Sequence, residues 1–373
     1  MKTEKSIYVI LPHLGGGGAE RLHMNLANDW SERGFNVHLI LLKKTGKLLN
    51  LVAPDVKLID LNVERIYQMI IPLIKIFYSK RPDVVLSAMW PITSVTVLSW
   101  ILSGRLCKLF LVDHIPIIGF YAIDLNINLR WVKIIMRLTY NITSGIIAVS
   151  TGVKNDIIRL TGIKSPAVKV IYNPVIIKTS DKQIPDSIGN SIWGQSNHRI
   201  LGVGRFKSQK NFETLIKAFS LLPKNLKSKL IILGEGVERS KLENLINKLD
   251  IQSSVHLPGF KIDPSPWFKT ANLFVNSSKY DGLPLVIIEA LSFGLPVVST
   301  DCISGPSEIL MNGLYGDLVP VGDYVTMAKV ITKSLNRNHD KILLINRAKD
   351  FSLDKISKEY INYIFKKNID EKI

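Results

Sequence analysis

The chain has 373 residues, 46% of them apolar, which is the length of two ordinary domains and the composition of a folded protein, not a disordered one. Its two cysteines, Cys107 and Cys302, exclude a disulfide framework and a cysteine-rich zinc site and suit a reducing compartment. The net charge of +17 asks for an anionic partner: nucleic acid, an anionic membrane surface or an acidic substrate. That charge is uneven. Residues 1–180 hold 22 Lys/Arg against 11 Asp/Glu, a net +11, and the rest hold 26 against 20, a net +6.

Ser6–Leu11, after Met1–Lys5, is too short in its apolar part for a signal peptide and reads as a first buried strand. Gly15–Gly18 then turns the chain into a helix beginning near Ala19. As a dinucleotide fingerprint it fails, because Glu20 stands where a third glycine belongs. Asn36–Leu42 is the next strand. Arg65–Arg81 is a helix candidate, apolar almost all round, kinked or restarted at Pro72, with its cations near the ends. Val84–Gly104 is 21 residues without a charge, long enough to span a bilayer, but Pro91 interrupts it. It parses better as a strand (Val84–Ala88), a turn at Trp90-Pro91 and a buried helix to Leu102. The strand Lys108–Val112 leads to His114, and Arg130–Tyr140 again mixes apolar residues with cations. Gly145–Val149 is the last strand of this half. The two basic, aromatic-bearing helices suit either an anionic membrane surface or a core with snorkelling cations.

Val175–His198, rich in Ser, Asp, Lys, Asn and Gly, is the best linker in the chain. It divides a first domain (1–178) from a second (199–353), with 179–198 between them. Strands in the second are Ile200–Val203, Lys229–Leu233, Val255–Leu257, Leu273–Asn276 and Pro296–Ser299. Strands alternating with helices imply an α/β fold with two parallel, Rossmann-like sheets. Ligands bind at the carboxyl ends of such strands, so the halves are expected to face a central cleft. Asp354 opens an amphipathic final helix, about 354–369.

Two stretches carry the chemistry. Ile200–Asn211 places Gly202, Gly204, Arg205 and Lys210 after a short strand: the glycines permit close backbone approach, and the cations suit phosphate. Asp281–Glu289 reads Asp-Gly-Leu-Pro-Leu-Val-Ile-Ile-Glu. Gly282 and Pro284 suit a turn opening a helix, whose first N–H groups form an anion site. Carboxylates on both sides of an anion site make sense if the phosphate carries sugars, whose hydroxyls they accept. Read alone, Asp281 is a dipole-favoured helix-start residue and Glu289 a solvated one. His114 alone is a structural histidine as readily as a functional one, and His13 is a weaker candidate. The remaining histidines show no metal-ligand spacing and no Asp-x-Asp pair occurs, so no metal is expected.

Together these segments resemble the retaining glycosyltransferases of family 4, which have the GT-B fold and nucleotide-sugar donors. The pattern is Gly-x-Gly-Arg-x4-Lys-Asn followed by Glu-x7-Glu, here with Asp281 in the first Glu position. The resemblance extends to Gly15–Glu20, Asp113-His114, Val149–Val153, Tyr172–Val175 and Thr300–Glu308. It implies that His114 contacts the transferred sugar, Asp281 its hydroxyls and Glu289 the ribose. Arg205, Lys210 and the backbone of Gly282, Leu283, Pro284 and Leu285 would meet the diphosphate, with Gly204 beside them. Gly17 and Gly18 would lie near the donor phosphate or the acceptor, Gly259 and Phe260 at the base, and the last helix would pack on the first domain. UDP is favoured over GDP. The implied reaction moves a hexose or N-acetylhexosamine, with retention, to a glycan acceptor. A basic, apolar-rich first domain suits an acceptor on a polyprenyl diphosphate, with the enzyme peripheral on the inner face of a bacterial cytoplasmic membrane. The other readings are a nucleotide-sugar epimerase on the same fold, or a basic nucleic-acid-binding protein. The last would need a groove with base-stacking aromatics, and no nucleic-acid partner is expected.

Overall fold

Uninterrupted apolar runs become central strands. The computed structural model describes residues 5–120, 129–177 and 191–366, and the chain divides into two units, 1–174 with 352–373 and 175–351. The first is built on β1 (Ser6–Leu11), β2 (Asn36–Leu41), β3 (Lys57–Asp60), β4 (Val84–Ala88), β5 (Lys108–Asp113), β6 (Gly145–Ala148) and β7 (Val168–Val170). These form one parallel seven-stranded sheet in the order β3-β2-β1-β4-β5-β6-β7. Ile7 pairs with Val37 on one side and Val84 on the other. Its helices are α1 (Gly18–Glu32), α2 (Ile70–Lys80), α3 (Ile92–Leu102), α4 (Ile117–Phe120), α5 (Leu129–Tyr140) and α6 (Thr151–Thr161).

The second unit holds β8 (His198–Val203), β9 (Ser228–Leu233), β10 (Val255–His256), β11 (Leu273–Asn276), β12 (Val297–Thr300) and β13 (Asp317–Val319). They are parallel, in the order β10-β9-β8-β11-β12-β13. Its helices are α7 (Phe212–Ser220), α8 (Arg239–Lys248), α9 (Ser265–Thr270), α10 (Leu285–Ser292), α11 (Pro306–Ile309), α12 (Tyr324–Leu335) and α13 (Lys341–Lys349). In each sheet the winding reverses once, at β1/β4 and at β8/β11. The carboxyl end of such a switch point is where open α/β sheets bind ligands.

The final helix, α14 (Leu353–Lys366), belongs to the first unit. Its Tyr360 is fully buried against Trp30 of α1, ring centroids 6.0 Å apart, and Asp354 pairs with Arg33 at 2.9 Å. Most of the expected linker lies outside the described residues. Its end does not behave as a free tether: Trp193 is buried in the second unit, its indole N–H donating to Thr270 Oγ1 at 2.8 Å.

Three strands escaped the sequence reading. β3, β7 and β13 have 4, 3 and 3 residues, carry Lys57, Asp60, Lys169 and Asp317, and lie at sheet edges, where a continuous apolar run is not needed. The break in the 65–81 segment also falls elsewhere. A 3-10 turn covers Ile66–Met69 and α2 starts at Ile70, so Pro72 sits in a first turn, where its missing N–H costs nothing. Val84–Leu102 is a strand and an 11-residue helix, joined by a cis Trp90-Pro91 peptide. No helix among the described residues is long and apolar enough to cross a membrane.

Candidate functional site

β8 ends at Val203 and delivers Gly204 and Arg205 to the carboxyl edge of the second sheet, at its switch point. Neighbouring loops hold them there. Gly204 N–H donates to Leu233 O (3.0 Å), Phe206 N–H to Glu235 O (2.8 Å) and Gly234 N–H to Gly259 O (3.1 Å). Gly234 must be glycine: a Cβ there would lie 1.8 Å from the Gly204 carbonyl oxygen. Sequence reasoning missed Gly234 and Gly236, although a Gly-Glu-Gly run directly after a strand was a usable signal. Arg205 is exposed and makes no ion pair among the described residues. Phe260, 43% exposed, is not core.

The next turn carries Lys210, followed by Asn211 at φ 49°, which reverses the chain into α7. Lys210 Nζ reaches both oxygens of Asp281, at 2.8 and 3.0 Å. Gln209 Nε2 donates to Asp281 Oδ1 (3.2 Å) and to Tyr280 O (3.1 Å). Two further bonds clip the segments together: Ser277 Oγ to Lys210 O at 2.8 Å, and Lys279 N–H to Gln209 O at 2.8 Å. The two carriers of chemistry are therefore one structure. Lys210, expected beside Arg205 at a diphosphate, is also the counter-ion of the Asp281 carboxylate, whose residue is 6% exposed.

Beyond Asp281 the backbone of Gly282–Pro284 is buried. Ser304 Oγ donates to Gly282 O at 2.9 Å, and Gly305, at φ 89°, lets the 301–305 loop close over Pro284. Cys302 lies in the same packing, where burial, and then the Asp281 charge, push its thiol up to about 12. It is an inert core residue. α10 starts at Leu285 with Pro284 as N-cap, so Pro284 precedes the helix and has no N–H to give. The N–H groups of Leu285 and Val286 are those that a helix start leaves without an intrahelical partner. Glu289 follows one turn later, half-buried.

In the first unit the glycine run is a self-contained cap. Gly17 precedes α1 and its N–H donates to Glu20 Oε2 at 2.6 Å, while Gly15 N–H donates to His13 Nδ1 at 3.0 Å. The Gly17 amide is thus engaged within the turn, and Gly18 is the exposed first residue of α1. His114 is buried beyond the end of β5, its Nε2 2.9 Å from Nε2 of His23 in α1. Burial pushes the His114 imidazole down to about 4. Next to it, Asp113 accepts from the Tyr140 hydroxyl at 3.2 Å, and burial raises its carboxyl to about 7. Ser150 caps α6, its Oγ accepting from Val153 N–H at 3.2 Å. Among the described residues no three His, Cys, Asp or Glu side chains group as metal ligands do.

Comparison with known proteins agrees with this division of parts. Residues 16–178 match the model of Glycosyltransferase Family 4, and residues 188–351 that of Glycosyl transferases group 1. A Campylobacter jejuni protein named N-acetylgalactosamine-N,N'-diacetylbacillosaminyl-diphospho-undecaprenol 4-alpha-N-acetylgalactosaminyltransferase is 29% identical over 64% of this chain and 65% of its own. The Escherichia coli K12 lipopolysaccharide 1,6-galactosyltransferase is 30% identical over 52% of this chain and 55% of its own. These alignments thus span about half to two thirds of the relatives. The structure of Anabaena HepE, solved with UDP, superposes with a TM-score of 0.79 at 19% identity, covering 96% of this chain and 98% of that one. With two parallel switch-point sheets and both domain models matched in order, the chain belongs to the GT-B glycosyltransferases, with a Family 4 domain followed by a group 1 domain.

Proposed function

We propose that this protein transfers a hexose or N-acetylhexosamine from a UDP-sugar to a glycan on a membrane-anchored polyprenyl diphosphate, with retention and without a metal, in bacterial surface polysaccharide synthesis. The observation that carries the donor half is the arrangement at the carboxyl edge of the second sheet. Arg205 stands free, the α10 start presents its first N–H groups, and Asp281 and Glu289 flank them. As the glycosidic bond breaks, charge grows on the leaving diphosphate, and Arg205 with the α10 amides stabilises it. The Asp281 carboxylate, held by Lys210 and Gln209, keeps lone pairs for sugar hydroxyls, and Glu289 has the same capacity for the ribose. The leaving phosphate would take the acceptor proton, as the resemblance implies, and His114 is the residue it assigns to the transferred sugar.

The acceptor half is supported by the names of the relatives and by one face of the first unit. α2, α3 and α5 pack side by side, and residues 66–82, 92–108 and 129–140 contain no Asp or Glu. They expose Tyr67, Ile71, Tyr78, Leu102, Trp131 and Leu138 beside Lys75, Arg105, Arg130 and Lys133. An apolar, acid-free face of this kind suits the surface of an anionic inner leaflet.

The test is transfer itself. Protein, radiolabelled UDP-sugars and polyprenyl-diphosphate glycans are incubated in EDTA, and the label is extracted with the lipid. Label on the lipid, in the axial configuration of the donor, is expected from one sugar. Free sugar alone, or an epimerised UDP-sugar, would overturn the proposal.

A further inference from the structure

His23 enters none of the motifs and no step proposed above, yet it is wholly enclosed in α1, its Nε2 2.9 Å from Nε2 of His114. The rings meet edge to face, at 90° with centroids 5.0 Å apart. An N···N contact of that length holds one proton, because two N–H groups or two lone pairs cannot face each other so closely. Burial keeps both rings neutral: it holds His23 well below its ordinary pKa, with His114 adding to the effect, and takes His114 down to about 4. The pair is therefore two neutral imidazoles of complementary tautomer.

Nδ1 of His114 and Nδ1 of His23 are both buried without a hydrogen-bond partner, so the contact between the two Nε2 atoms is what couples the tautomer of one ring to that of the other.

We propose that His23 is a positioning residue for His114: the one proton shared between their Nε2 atoms ties the tautomer of His114 to that of His23 and fixes its ring plane. This rests on His114 serving the transfer proposed above, but its tautomer half is measurable without turnover. Imidazole 1H–15N correlation spectra of protein labelled on histidine should show one of the two rings protonated at Nε2 alone and the other at Nδ1 alone. His23→Leu removes the hydrogen-bond partner at similar volume, while His23→Gln keeps a polar partner at similar reach. In His23→Leu the His114 signal should become a mixture of tautomers, and kcat should fall about tenfold with donor KM nearly unchanged, the usual scale for losing an orienting partner. His23→Gln should recover most of that loss. Two rings protonated at the same nitrogen, or a mixture of tautomers in the wild type, would overturn the proposal, as would a His23→Leu enzyme of normal kcat or a His23→Gln enzyme no better than His23→Leu. A wild type that transfers nothing sinks the reaction and the catalytic role with it, while the nitrogen spectra still decide whether His23 sets the tautomer.

Discussion

Lys210 and Asp281 are 71 positions apart and meet at 2.8 Å. Each was singled out in the sequence as a candidate site residue; their pairing was not legible, because nothing in either motif states which loop lies opposite. The exposures of 17% and 8% make single substitutions unequal. Lys210→Met strands an enclosed carboxylate and should cost about 3 kcal/mol, since removing one partner of a buried pair leaves its charge uncompensated. Asp281→Asn should cost less, because the lysine reaches water more easily. The double variant should recover part of the loss, with a coupling of about 1 kcal/mol or more in urea unfolding. Strict additivity would mean that the pair contributes nothing. His23 was illegible for a different reason: an amphipathic helix gives a buried histidine no distinguishing mark. Asp113 yields a pH prediction. Its folded pKa of about 7 lies above the ordinary 3.8, so the folded state holds the extra proton between those values. The group favours folding fully below about pH 4 and loses that contribution as pH rises through about 7. Asp113→Asn cannot ionise, so its Tm relative to wild type should rise from about pH 4 to about pH 7 and level off above that. The depressed histidines shift stability in the opposite sense but are common to both proteins. A pH-independent Tm difference would contradict the burial of an ionisable carboxyl.

At the scale of elements, most strands declared themselves by their apolar residues, while β3, β7 and β13, short edge strands that carry charges, did not. The helices on the basic face were legible as segments and ambiguous in role. α5 is only partly core: it buries Val132, Met136 and Tyr140, and exposes Trp131, Ile134, Ile135 and Leu138. The exposed set predicts adsorption. Co-sedimentation with vesicles containing anionic lipid should exceed that with neutral vesicles and fall with salt. Trp131→Glu with Leu138→Glu should reduce it about tenfold or more, since two large apolar contacts are removed and two repelling charges added. The two sites, 65% and 70% exposed, should leave the Tm within a few degrees of wild type. Equal binding to neutral and anionic vesicles, or binding unmoved by the double substitution, would remove this face from the account.

The whole chain is two sheets of the same winding, each with its own core, and that much followed from alternating apolar and amphipathic runs. The amphipathic end at Asp354 was legible as a helix, and its return to the first domain came from the resemblance; its contact with α1 is seen in the structure. What the runs could not give was the site's inner economy: a lysine committed to a carboxylate, a glycine amide committed to its own cap, and an arginine left open. In the proposed reading Arg205 is the side chain on which anion binding rests. Calorimetric titration of UDP into the protein in EDTA, beside Arg205→Ala, tests this most directly. The account predicts saturable binding with one site per chain. It also predicts a loss of about 10- to 100-fold in Arg205→Ala, the scale of a charge-assisted hydrogen bond of roughly 1.5–3 kcal/mol, with an unchanged Tm in the absence of nucleotide. UDP that fails to bind, or binds both proteins equally, would contradict it.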